Sequence, residues 1–134
     1  MFNLSDKEWG YFTLRLTLGV NMFMHGLPRI VGGLGNFVEK MAPEFENGLI
    51  PFSLAKITLY AIPVVELILG VMMLIGFQYR LALIIGAFLV TMLTFGSAAN
   101  QNWGAVGTQL IYAIAFSLLL FGRQDYNRLA LDKK

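Results

Sequence analysis

The chain has 134 residues, of which 57% are hydrophobic and only 13% are charged. Soluble domains carry roughly 25% charged residues, so this composition excludes an ordinary water-soluble domain, and the length predicts one domain over residues 1–134. The formal charge of +2 is too small to indicate nucleic-acid binding. The absence of cysteine excludes disulfides, iron–sulfur clusters and thiol chemistry carried by the chain itself.

Four apolar segments follow one another, each close to the roughly 20 residues that a helix needs to cross a bilayer. They cover about residues 9–30, 57–77, 81–99 and 104–121. This pattern predicts an all-α integral membrane protein, a bundle of four transmembrane helices that forms a single domain. Asp6 and Glu8 beside Lys7, together with the long first apolar run, indicate a retained helix and not a cleaved signal peptide.

Basic residues in the short flanking segments predict the orientation, because they concentrate on the cytoplasmic side of a membrane. With four spans, both termini and the loop between spans two and three share one side. That side has six basic residues and the other has three, namely Lys7, Arg80, Arg123, Arg128, Lys133 and Lys134 against Arg29, Lys40 and Lys56. We therefore expect both the N- and the C-terminus in the cytoplasm.

The one sizeable connection, residues 31–56, is expected to face outward. Its apolar residues repeat at helical spacing between charged ones: Leu34, Phe37, Val38, Met41 and Phe45. Pro43 limits the regular helix to the part before it. The pattern predicts a short amphipathic helix on the outer membrane surface, with Phe37, Met41 and Phe45 buried. The alternative is a lid or a partner-docking element.

Polar residues inside the spans mark candidate functional positions, because polar groups are expensive in hydrocarbon. Counting roughly 1.5 Å per residue from the outer ends places His25 and Asn21 of the first span, and Gln109 and Tyr112 of the fourth, in the outer half of the membrane. His25 has two interpretations. It is either an interior residue bonded to Asn21 or Gln109, or a donor or proton acceptor for a ligand.

Glu66 lies in the apolar stretch AIPVVELILG, near the middle of the second span. A carboxylate there must be paired, hydrated or protonated. Arg15 is the basic residue at compatible depth, so we expect Arg15 and Glu66 to form an intramembrane charge pair. Two alternatives remain: Arg15 extends to the inner head groups and leaves Glu66 neutral, or Glu66 handles a proton or orients a ligand.

Motifs of soluble enzymes are absent from the sequence. It has no metal-ligand cluster, phosphate-binding loop or Ser-His-Asp set, and its single histidine excludes bis-histidine haem ligation. No catalytic residue is assigned, and we expect at most the membrane subunit of an enzyme.

Two stretches of the sequence resemble the DoxX family of small four-helix membrane proteins. They are LRLTLGVNMFMHGLPRI from Leu14 and LILGVMMLIGFQYRLA directly after Glu66. The points of similarity are Arg15, the His25-Gly26 dipeptide, Glu66 and the turn from Gly76 to Arg80. The tail FGRQDYNRLALDKK keeps Gly122 and Leu131-Asp132 but lacks the Pro-Gly that family members often have there.

The family takes its name from the membrane subunit of a thiosulfate:quinone oxidoreductase, and other members are associated with redox-stress complexes. The resemblance implies a partner of oxidoreductases in a prokaryotic inner membrane, in contact with other membrane subunits and with quinone as a non-covalent cofactor. His25, Gln109 and Tyr112 are of the residue types that hydrogen-bond such a head group. The alternatives are a non-catalytic accessory or assembly subunit and, less favoured because no inverted repeat is present, a small-solute transporter.

Overall fold

The computed structural model describes residues 3–132, and the regular secondary structure in this range is all helical. Its elements are α1 (Asp6–Val31), α2 (Leu34–Met41), a 3₁₀ turn (Ala42–Phe45), α3 (Phe52–Ile75), α4 (Tyr79–Ala99) and α5 (Trp103–Tyr126). The all-α prediction is confirmed, and so is a short helix in the 31–56 connection that ends just before Pro43. The two C-terminal lysines used for the orientation lie outside the described residues.

Three of the described helices, α3, α4 and α5, are long and apolar enough to cross a membrane. α1 has 26 residues but is not among them. Charged residues in its first turn, Arg15 in its interior and Arg29 in its last turn lower its mean hydropathy. The prediction of a multi-pass membrane protein is thus confirmed with three clear spans.

The main core lies between α1, α3, α4 and α5. Its fully buried members include five large apolar side chains, those of Leu69, Met73, Leu83, Phe116 and Leu119. Large hydrophobic side chains such as Phe88, Phe95 and Phe121 point outward and are exposed. An apolar outer surface of this extent is typical of a protein whose surroundings are lipid.

α1 and α3 are antiparallel and pack closely, because glycines let their backbones approach. A Cβ atom at Gly70 of α3 would overlap the backbone of Phe23 on α1, and one at Gly19 of α1 would lie 3.1 Å from the side chain of Leu74 on α3. The level of Phe23 on α1 thus matches Gly70 on α3, and the level of Gly19, four residues earlier, matches Leu74, four residues later. These two contacts define the register of the pair.

This register leaves a step at one end of the bundle. Val31, the last residue of α1, lies opposite Ile62, whereas α3 begins ten residues earlier, at Phe52. At roughly 1.5 Å per residue, about 15 Å of α3 extends beyond the end of α1. The space beside this part of α3 is left for other elements.

The segment Leu34–Phe45, here called the cap segment, covers the step. Val38 and Ala42 are buried against Leu59 of α3, and the partly buried residues around them are Phe37, Met41 and Phe45. The predicted apolar face of this segment is therefore its packing face. Its location on the outer membrane surface stays a prediction.

At the opposite end, the residues after α5 fold back over the bundle. The backbone N–H of Asp132 donates to the carbonyl of Gly76 at 2.9 Å. The Asp132 carboxylate accepts from the backbone N–H groups of Gln78 at 3.0 Å and Tyr79 at 2.6 Å. It thereby caps the start of α4, where N–H groups have no partner within the helix. The sequence pattern did not indicate this role for the tail.

Candidate ligand-binding cavity

A cavity of about 750 Å³ lies beneath the cap segment. It is bounded by the end of α1, the start of α3, the end of α4, the start of α5 and the cap segment itself. Most of its lining is apolar, with side chains such as Met22, Phe45, Leu59, Ile62 and Leu89. Pockets that hold small organic ligands have volumes of roughly 300–1,000 Å³ and an apolar lining with a few polar groups, so this cavity is of the right size and character.

The four residues predicted to contact a ligand, Asn21, His25, Gln109 and Tyr112, all line this cavity. The rings of His25 and Tyr112 meet edge to face, with centroids 6.3 Å apart. Gln109 precedes Tyr112 by one turn of α5 and so shares its face. The structure thus brings the four residues together, while their contact with a ligand stays a prediction.

His25 is hydrogen-bonded on one side of its ring. Its Nδ1 lies 2.7 Å from the backbone carbonyl oxygen of Asn21. Because a carbonyl oxygen only accepts, Nδ1 carries the proton, and Nε2 of the neutral ring is then an acceptor. No other residue in the described range 3–132 forms a hydrogen bond with Nε2. His25 is therefore bonded to Asn21, as one interpretation predicted, and also has an available acceptor.

Gln109 is satisfied at only one end of its amide. The amide nitrogen donates to the Ser97 hydroxyl at 2.9 Å. The amide oxygen is buried and has no hydrogen-bond partner among the described residues. Leaving a buried acceptor unpaired costs about 1–3 kcal/mol. Because this oxygen has almost no accessible surface, it is packed against the protein and is not open to the cavity.

Glu66 also lines the cavity, but the predicted pair with Arg15 is wrong. The carboxylate accepts from Nη1 of Arg29 at 3.0 Å. The reason is the register, which places Glu66 level with Leu27 of α1. Arg15 lies further back along α1, about 18 Å away at 1.5 Å per residue. Counting depth from the outer ends of the first two spans treats those ends as level, and this placed Arg15 too close to Glu66.

Arg29, which was counted only as an outer basic residue, links three elements at the cavity. Besides its ion pair with Glu66 of α3, its guanidinium lies 4.5 Å from the centroid of the Phe37 ring in the cap segment. The Glu66 side chain is 6% exposed and that of Arg29 is 31% exposed. The carboxylate is thus shielded, while the cation reaches the edge of the step. In the sequence, the pairing of Arg29 with Glu66 was signalled only by the glycines of α1 and α3, whose spacing defines the register of these two helices.

Arg15 acts at the other end of the bundle. It is only 2% exposed, and its Nη1 donates to the Asn127 side chain at 2.6 Å. Its Nη2 donates to the carbonyl of Leu129. The rings of Phe12 and Tyr79 flank the guanidinium at 5.3 and 5.6 Å. Arg15 therefore anchors the C-terminal tail and has no part in the cavity.

Together, these features define a multi-pass membrane protein with a mostly apolar cavity at one end of its helix bundle. Within residues 3–132, no group of His, Cys, Asp or Glu side chains is arranged to hold a metal ion. The model of the DoxX family matches residues 10–100, and the chain belongs to that family. Neither the curated proteins nor the solved structures compared with the chain include a match. The matched range contains His25, Arg29 and Glu66 and ends before Gln109 and Tyr112.

Proposed function

We propose that this DoxX-family protein binds the head group of a quinone, or of a similar lipid-soluble redox carrier, as a subunit of a membrane oxidoreductase. The observation that carries the proposal is the cavity of about 750 Å³. A carrier of this kind needs an apolar slot for its ring and the start of its tail, and a few polar groups for its oxygens. His25, Gln109 and Tyr112 supply those groups on one part of the lining.

The proposal includes α1 as a fourth span. Its 26 residues extend over about 39 Å, more than the roughly 30 Å hydrocarbon core. Its two arginines are both paired inside the protein, Arg15 with the tail and Arg29 with Glu66. Neither one therefore has to face lipid unpaired. Four spans bring both termini to the same side, and the excess of basic residues there favours the cytoplasm of a prokaryotic cell.

Ligand binding is tested on the purified protein in nanodiscs by calorimetric titration with a short-tailed benzoquinone in either redox form. We expect saturable binding, weakened up to about tenfold in Tyr112→Phe, because the loss of one hydrogen bond removes about 0.5–1.5 kcal/mol. The matched control is Tyr60→Phe on the exposed side of α3, outside the cavity lining. A folded protein that binds neither redox form would contradict the proposal and favour an accessory subunit without a ligand.

The orientation is tested by a separate labelling experiment. This experiment is possible because the chain has no cysteine of its own. Single-cysteine variants Ser5→Cys and Asn36→Cys are treated with a membrane-impermeant maleimide in intact cells. We expect labelling at residue 36 and protection at residue 5. The reverse result would overturn the cytoplasmic placement of the termini.

A further inference from the structure

The long helices of the bundle form a ring in the order α1, α3, α4 and α5. Helix α1 contacts α3 and α5, and α4 contacts the same two helices. The α1–α5 side of the ring is therefore opposite the α3–α4 side. The residues predicted to contact a ligand all lie on the α1–α5 side, namely Asn21, His25, Gln109 and Tyr112. The rings of His25 and Tyr112 meet edge to face there and connect the two helices.

On the opposite side, α3 and α4 pack closely only near the turn that joins them. The buried residues of α4 all lie between Tyr79 and Val90, and none of residues 91–99 is buried. Met92 and Phe95 of this outer part line the cavity and are also exposed on the outside of the bundle. Leu54 near the start of α3 does the same. These three residues border an opening between α3 and α4, here called the portal.

The other exposed residues of the cavity lining are of a different kind. Among the described residues, α1 contributes no exposed residue to the lining, and the interior of α5 contributes only Thr108. The rest lie at the outer end of the bundle, namely Glu44, Leu49, Pro51 and Asn102. Large apolar side chains that are exposed within the spans are therefore confined to the portal. Because α3 and α4 are both apolar enough to cross a membrane, the portal faces hydrocarbon.

The outer end of the cavity is covered by the cap segment and the loop that follows it. On the α1 side, the guanidinium of Arg29 lies against the Phe37 ring. On the α4 side, the amide nitrogen of Asn100 donates to the backbone carbonyl of Glu44 at 3.1 Å. Ile50 reaches the same end of α4, since a Cβ atom at Gly96 would lie 3.7 Å from its side chain. The cover is thus held to both helix pairs, which restricts access from water.

We infer that a ligand with a long apolar chain enters this cavity from the bilayer, between α3 and α4. Its chain stays in the portal while its head lies between α1 and α5. The inference rests on the proposed function and adds the route of entry and the location of the chain. Along this route the chain remains in apolar surroundings at every step. Passage beneath the cap segment would instead expose its methylene groups to water, which is unfavourable in proportion to the area exposed.

The location of the chain is tested by photolabelling of the whole protein in nanodiscs. The probe is a benzoquinone with a long alkyl chain that has a diazirine a few carbons from the ring, and mass spectrometry of peptides locates the labelled residues. We expect labels on Leu54, Met92 or Phe95. The same quinone without the diazirine, at about tenfold excess, should lower this labelling about tenfold by mass action.

The outcomes of this experiment separate the inference from the proposed function. Labels at the portal that the excess quinone does not lower show contact with bulk lipid only. Without competed labels at the portal the inference is overturned, and the proposed function stands as long as a short-tailed benzoquinone binds. Competed labels on the cap segment or at the start of α5 have the same consequence. A folded protein that binds neither the short-tailed nor the long-tailed quinone overturns both.

Variants that narrow the portal test the route itself. Met92→Trp should lower the affinity for the long-tailed quinone, relative to the short-tailed one, at least about fivefold, because a larger side chain obstructs the chain. Both quinones partition into the same nanodiscs, so comparing this ratio between variants removes the effect of partitioning. Phe88→Trp, on the exposed face of α4 outside the lining, should leave the ratio within about twofold. Leu54→Trp narrows the portal from α3 and serves as the second variant if Met92→Trp does not fold. An unchanged ratio in the folded portal variants contradicts the inference.

Discussion

The ion pair of Arg29 and Glu66 should respond unequally to the loss of either partner. The Glu66 side chain is 6% exposed and that of Arg29 is 31% exposed. Arg29→Gln leaves a shielded carboxylate without its cation, a change that typically destabilises a protein by about 3–5 kcal/mol. Glu66→Gln leaves a guanidinium at the edge of the step, where it can turn towards water. We expect the smaller loss of one charged hydrogen bond, about 1.5–3 kcal/mol.

The double variant should recover part of this loss, with a coupling free energy in the range of about 0.5–3 kcal/mol. Reversible unfolding by sodium dodecyl sulfate in mixed micelles, followed by circular dichroism, measures the free energy of unfolding for each variant. The control is the same cycle with Arg15→Gln in place of Arg29→Gln. Arg15 and Glu66 are separated by about 18 Å in the direction of the α1 axis, so those effects should add within about 0.5 kcal/mol. Additivity for Arg29 with Glu66, or stronger coupling for Arg15, would refute the register of α1 and α3.

Two further predictions concern the packing of the bundle. Gly70→Ala should lower the free energy of unfolding by about 1–3 kcal/mol or more, because its Cβ would overlap the backbone of Phe23. The control is Gly107→Ala, where the added Cβ atom would have no neighbour within 4 Å, so the variant should be neutral or stabilise α5 by up to about 1 kcal/mol. Equal effects of the two variants on the free energy of unfolding would contradict the close contact of Gly70 with Phe23. Asp132→Ala should destabilise the protein by about 1 kcal/mol, the usual value for a lost helix cap. It should also speed amide hydrogen exchange at Tyr79, whose N–H it leaves unbonded, whereas unchanged exchange would show that the tail does not hold the start of α4.

The positions of the helices were predictable because each depends on a local pattern. Long apolar runs located α3, α4 and α5, and Pro43 located the end of α2. The register between helices was not predictable in the same way. It depends on which glycines meet which backbone, as Gly70 does with Phe23, and hydrophobic periodicity contains no such information. Arg15 was predicted as the partner of Glu66, and this prediction was wrong because the register of α1 and α3 was not known.

The site was predictable as a group of residues but not as a hydrogen-bond pattern. Counting depth from the outer ends of α1 and α5 was enough to bring His25, Gln109 and Tyr112 to one cavity. The engagement of Ser97 by the Gln109 amide depends on side-chain rotamers, which the sequence does not reveal. The contact of Arg15 with Leu129 joins residues far apart in the chain and has no periodic signal at all.

The step between α1 and α3 explains why a polar site exists in so apolar a chain. If α1 continued as far as the start of α3, its additional turns would fill the space that the cavity now occupies. Because α1 ends at Val31, opposite the middle of α3, its last polar residues, His25 and Arg29, border a space and not a packed helix. Arg29 pairs with Glu66 of α3, and its guanidinium lies against the Phe37 ring of the cap segment, which covers the step. The cavity, the ion pair and the cap segment are therefore consequences of one helix offset, which leaves the polar side chains at the end of α1 beside an open space.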